Sequence, residues 1–260
     1  MGLTLKEEHL DFFLVPGGLL LMLGYHLFHL HRCLKLPDTT VIGCENHNKK
    51  AWVRKTLEVA AKDRGQAITV INSSISAATS LASISLGLSS LIGAWIGSTS
   101  HNVFISSNIH GNKSLSVVYI KYIALLSFFL VAFACFVQTV RCFVNANFLI
   151  SMPNCEVPAS HVEKEVIRGS NYWVIGLRSL YFATNLLLWI FGPIPMFVCS
   201  VITVVLLHYL DRNTAPLPQF KTLPASHNSQ KNGKEMTAVT SANDRRERSD
   251  TVEPEHLASI

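Results

Sequence analysis

The chain has 260 residues, 49% hydrophobic and 15% charged, with a formal net charge of +5. For a water-soluble domain that apolar share is ordinary, but the charge is low and strongly segregated. Most of the positive excess lies between Arg32 and Arg64, with no zinc-finger, RNP-like or Gly-rich phosphate motif beside it. Nucleic-acid binding is therefore not expected, and a basic loop between apolar blocks marks the cytosolic side of a membrane instead.

Crossing roughly 30 Å of hydrocarbon takes about 20 helical residues. Four blocks meet that length, at about 12–30, 67–97, 117–140 and 180–209. The expected fold is thus an all-α integral membrane protein over 1–215. Its four transmembrane helices form a bundle, a basic amphipathic helix leads into the second, and a disordered polar tail occupies 216–260. Met1–Asp11 lacks the charge pattern of a cleavable signal, and position 6 is Lys6, which does not support myristoylation of Gly2.

In the first block, Pro16 falls near the start, where a missing N–H costs least. His26, His29 and Cys33 share one helix face, a combination able to ligate zinc or copper. Hydrogen bonds to headgroups or to a neighbouring helix are the simpler reading, since no second close cluster completes four ligands. Cofactors are accordingly not expected.

Asn48 is the expected cap of a basic amphipathic helix starting at Lys49 or Lys50. Its Lys49, Lys50, Trp52, Arg54 and Lys55 suit the lipid headgroup layer, where tryptophan and bases collect. The second block carries no acid or base. Ser85, Ser89, Gly93 and Gly97 recur every four residues, the small-residue spacing that lets another helix approach closely. Asn72, Ser76, Ser80 and Ser83 form a polar stripe, read either as the wall of a water-filled path or as hydroxyls bonded back into their own helix.

Asn112–Lys113–Ser114 is a glycosylation sequon close to the third block. That block is conventional, with Tyr119, Tyr122 and Lys121 at one interface and Arg141 at the exit. Beyond it, a short helix over Val162–Arg168 with Ser160 and Glu163 as a capping box is expected. Pro193 and Pro195 predict a kink in the fourth block around Phe191–Met196. Asn185 is a candidate interhelical hydrogen-bond former. Arg245, Arg246, Arg248 and Ser249 resemble a site for a basic-directed kinase. With four crossings, the basic bias places both termini outside the cytosol, and the cysteines near the basic side are expected to be free thiols.

The stretch AWVRKTLEVAAKDRGQAITVINSSISAATSLASISL, starting at Ala51, resembles the core of the uncharacterised multi-pass membrane family called domain of unknown function 599. Its plant branch is the nearest in pattern. Trp52 with Arg54, Arg64 before the second block and Asn72 within it carry the resemblance, which covers about residues 10–215. It implies no activity, substrate or cofactor. HExxH, GxSxG and CxxC are missing, so catalysis is not expected. A structural, scaffolding or regulatory membrane component, in the plasma membrane or an endomembrane, is the first reading. An oligomeric transporter or channel subunit is second, and a membrane-embedded metal enzyme using His26, His29 and Cys33 is third. Lipid and other transmembrane helices, including further copies of this chain, are the expected partners.

Overall fold

A computed structural model describes residues 7–98, 115–152 and 158–213. The sequon at Asn112 and the tail beyond Asn213 lie outside the described residues. Six α-helices follow in order: α1 Glu7–Lys35, α2 Val41–Glu58, α3 Gly65–Ser98, α4 Leu115–Ser151, α5 Ala159–Phe191 and α6 Pro193–Leu210. Among the described residues there are no strands beyond one isolated bridge between Thr40 and Arg212.

Five of these helices, all but α2, are long and apolar enough to cross a membrane. The four expected spans correspond to five candidate spans, because the fourth block is two helices. Gly192 sits at φ 144° and ψ 168°, a backbone region open essentially to glycine alone. Pro193, at the first turn of α6, has no N–H to continue α5. The predicted kink is thus a reversal. Arg178 of α5 meets Asp211 after α6, so the two helices run antiparallel. The number of candidate spans is odd where an even number was expected, and the first and last described helices end on opposite sides: Asp11 lies at the Trp189 end and Asn213 at the Asp38–Thr39 end.

The antiparallel pattern extends through the bundle. At one end of α3, Arg64 donates to the Ile150 carbonyl of α4, and Asn147 donates to Asn72 at 2.8 Å. α4 and α5 pack through small residues seven apart. A Cβ on Gly169 would lie 2.9 Å from the Phe143 ring, and one on Gly176 would lie 2.8 Å from the Phe136 ring. Both distances are shorter than packed carbons tolerate, so a side chain at either position would have to displace the ring beside it. Ala183 continues the row into a core of Val15, Leu125, Phe129, Leu186, Trp189 and Met196, drawn from α1, α4, α5 and α6.

A second core, at the other end, joins Val53 of α2 to Ile71, Ala146, Ile150, Val162 and Val166. α2 consequently stands against the first half of α5. Asn46 meets Asn171, Lys49 meets Ser170, and Arg54 meets Glu163, an antiparallel register. The helix starts earlier than expected. Thr40, not Asn48, caps it, its Oγ1 accepting from Gly43 N at 3.2 Å, because Pro37–Thr39 already turns the chain there. Nor does α2 run into α3. The chain breaks at Val59–Arg64, where Arg64 donates to the Val59, Leu57 and Ile150 carbonyls at 2.8–3.1 Å. The short helix expected at Val162–Arg168 is the opening of α5, which starts after Pro158 with no side-chain cap.

Candidate functional site

α1, α5 and α6 enclose a polar seam in an otherwise apolar bundle. On α5 it is built from Arg178, Phe182, Asn185 and Trp189, at spacings of four, three and four that keep one face of a helix. Asp211, the first residue past α6, is the centre of its lower end. One Arg178 nitrogen, Nη2, donates to both carboxylate oxygens at 2.9 Å. Tyr25 Oη donates to Oδ2 at 2.8 Å, and His29 Nδ1 lies 3.5 Å from the same oxygen. Cys33 Sγ is 3.2 Å from His29 Nε2. With its proton on Nδ1, His29 faces the carboxylate with a donor and accepts from the thiol.

Three helices thus share one carboxylate. The Arg178 and Asp211 side chains keep only 16% and 14% of their surface exposed, so the pair is strongly shielded from water. His26 turns aside, its Nδ1 donating to the Met22 carbonyl at 2.7 Å while its ring leans on Phe182. Backbone reinforces the junction: Val41 N donates to the Asp211 carbonyl, and Asn213 donates to the carbonyls of Thr39 and Asp38.

The upper end of the seam gathers around Trp189. Its Nε1 donates to Asp11 Oδ1 at 3.1 Å. Lys121 Nζ donates to the Trp189 carbonyl at 3.3 Å and stands 5.1 Å from the indole centroid. Asp11 and Lys121 are both buried. Between the two ends, Asn185 is fully buried and neither amide atom meets a partner among the described residues.

The sequence-derived candidates separate on this frame. His29 and Cys33 touch one another, but His26 points elsewhere, and no group of three or more His, Cys, Asp or Glu among the described residues is arranged to hold a metal ion. Ser85 and Ser89 are buried, whereas Gly93 and Gly97 face open space. Asn72, Ser76, Ser80 and Ser83 are exposed on the outer side of α3. Ser80 and Ser83 donate to the Ser76 and Thr79 carbonyls, and Asn72 accepts from Asn147. Among the described residues, this stripe faces outward.

Of the basic set on α2, Lys49 is held by Glu45 and Ser170, and Trp52 packs on the second core. Arg54 is paired with Glu163 at 2.7 Å, a contact that pushes its guanidinium pKa further up. Lys50 and Lys55 are exposed. Sequence reasoning missed the Arg178–Asp211–Tyr25 junction. A charged residue inside an apolar helical stretch was its signal.

The arrangement defines an all-helical protein with five helices fit to cross a membrane, pinned at both ends of its α1–α5–α6 group by buried polar contacts. A family model described as "Protein of unknown function, DUF599" matches residues 13–216, and the chain belongs to that family. No curated protein and no solved structure matches the chain.

Proposed function

We propose that the chain is an integral, multi-pass structural or regulatory membrane component that acts by assembling with further copies of itself through the outer face of α3. The observation that carries this reading is an exposed seam of small residues on that helix: Ser76, Ser80, Ser83, Gly87, Ser90 and Ala94. Their alternating steps of four and three hold one face, and small side chains let two backbones approach closely in lipid, where packing rather than water drives association. Among the helices of its own chain, α3 packs chiefly on α4, which leaves that seam outward.

The distribution of charge gives the orientation. Every arginine of the described residues lies toward the end marked by Asp211, and Lys121 is the one described lysine at the opposite end. The positive-inside rule then puts α2 and the lower ends of α3, α4 and α5 in the cytosol. The membrane is the plasma membrane or an endomembrane, and the plant branch of the family is the nearest in pattern.

A paired substitution tests the assembly. Gly87→Leu with Ser90→Leu alters the outward seam, and Ser85→Leu with Ser89→Leu alters the buried face. The outward pair is expected to reduce oligomer size in detergent-resolved light scattering and leave thermal unfolding in place. The buried pair is expected to lower the unfolding midpoint. A wild-type chain that is monomeric in lipid nanodiscs overturns the reading. Solute flux through vesicles holding the wild type, abolished by the outward pair, favours the channel-subunit reading, in which the seam lines a shared path.

A further inference from the structure

A cleft of about 510 Å³ opens on the outer face between α4 and α5. Its polar lining comprises Gln138, Arg141 and Asn145 from α4, and Glu165 and Arg168 from α5. Both arginines are exposed, and among the described residues neither is in an ion pair. Arg168 rests against the Tyr172 ring, 6.0 Å from its centroid.

The depth of this cleft is set by the helices themselves. Arg141 follows Lys121 by twenty residues on α4, and Arg168 precedes Trp189 by twenty-one on α5. At about 1.5 Å per residue each separation is roughly 30 Å, the thickness of a bilayer's hydrocarbon core. Lys121 and Trp189 meet at the upper end, so Arg141 and Arg168 stand together at the lower boundary. Aromatics mark the same level, with Trp173 against Phe136 just above.

We infer that this cleft binds the headgroup of an anionic phospholipid of the cytosolic leaflet, of the phosphatidylserine kind. Two guanidiniums from different helices supply forked donors for a phosphate and a carboxylate. Glu165 supplies the one acceptor of full charge, matched to the serine ammonium. Two positive charges and one negative in the lining complement a headgroup of net charge −1 that carries its own cation. The amides of Gln138 and Asn145 add donors and acceptors around it. Exposed Val144 and Phe148 form the apolar part of the lining. The site is separate from the basic face of α2, where Lys49 and Arg54 are already engaged by Ser170 and Glu163.

The test uses the full chain in nanodiscs containing phosphatidylcholine with a minor share of phosphatidylserine or phosphatidylglycerol, and native mass spectrometry of the lipid retained. Wild type is expected to retain phosphatidylserine over both others. Arg141→Gln with Arg168→Gln is expected to lose that retention by about tenfold or more, because both guanidinium donors to the phosphate and carboxylate are removed. Glu165→Gln is expected to erase the preference for phosphatidylserine over phosphatidylglycerol while keeping the preference for anionic lipid. Retention that is indifferent to headgroup, or unchanged in both variants, overturns the proposal. If soluble glycerophosphoserine displaces the lipid at comparable concentration, the ligand is a free phosphate ester and not a membrane lipid. Glu165→Gln keeps the question open to measurement should the double variant fail to fold.

Discussion

Arg178 and Asp211, thirty-three residues apart, close the α5–α6 hairpin by placing one guanidinium nitrogen 2.9 Å from both oxygens of one carboxylate. Tyr25 donates to that carboxylate too, so the pair also fastens α1. Removing either partner leaves a charge shielded from water without its counterpart. Arg178→Leu and Asp211→Leu are each expected to cost about 2–4 kcal/mol, and the double variant less than their sum. Unfolding of the four proteins in one detergent, compared as a cycle, measures the coupling; strict additivity would show that the contact stabilises nothing.

Gly192 carries the reversal, and its φ of 144° has no comfortable equivalent for a residue with a side chain. Gly192→Ala is expected to destabilise the bundle by about 1–3 kcal/mol. Proteolysis rates between α5 and α6 are the direct readout, and Gly24→Ala, at a position with open space around it, is the control.

Close contact between α4 and α5 depends on Gly169 and Gly176. A side chain at Gly176 meets the Phe136 ring at 2.8 Å, so Gly176→Val is expected to cost about 1–3 kcal/mol through overpacking. Pairing it with Phe136→Leu makes room and should recover part of the loss. Thermal midpoints of the single and double variants decide the point.

Asn185 is a different kind of position. Buried, with neither amide atom meeting a partner among the described residues, it detracts from stability, and Asn185→Leu is expected to raise it by about 1 kcal/mol. A loss of stability instead would mean that the amide is hydrogen-bonded in the folded protein.

The pair between Arg54 and Glu163 lies on the surface, with the Arg54 side chain 65% exposed. Its guanidinium pKa is raised by the carboxylate beside it. A raised folded value adds stability that persists below the unfolded value and vanishes only as pH climbs through the folded one, here beyond the usual arginine range. No pH dependence around neutrality is therefore expected from Arg54, and Arg54→Gln should leave the unfolding midpoint close to that of wild type. Midpoints measured at several pH values and salt concentrations check this.

Much of the helical content is legible in the chain. The blocks at 12–30, 67–97 and 117–140 fall inside α1, α3 and α4, because uninterrupted apolar runs need no tertiary context to be read. α5 was obscured by Lys164, Arg168 and Arg178 along its first two-thirds, which broke the hydropathy signal that its length of 33 residues restores. Within the chain the small-residue stripe divides between two faces for a geometric reason. Steps of four advance 400° around a helix of 100° per residue, so the row drifts about 40° each time. Ser85 and Ser89 therefore pack inward, and Gly93 and Gly97 have rotated out. The Asp211 junction needed the hairpin to be known first, since nothing local links Tyr25, Arg178 and Asp211.

The contact between α1 and α6 has a bearing on how the protein is made. α1 is made before the other described helices and finds its carboxylate, Asp211, only when nearly all of the described chain has followed it. α3, α4 and α5 contact their sequence neighbours and can assemble as they are synthesised. Tyr25 and His29 therefore stand beside a half-built bundle until α6 and Asp211 have been made.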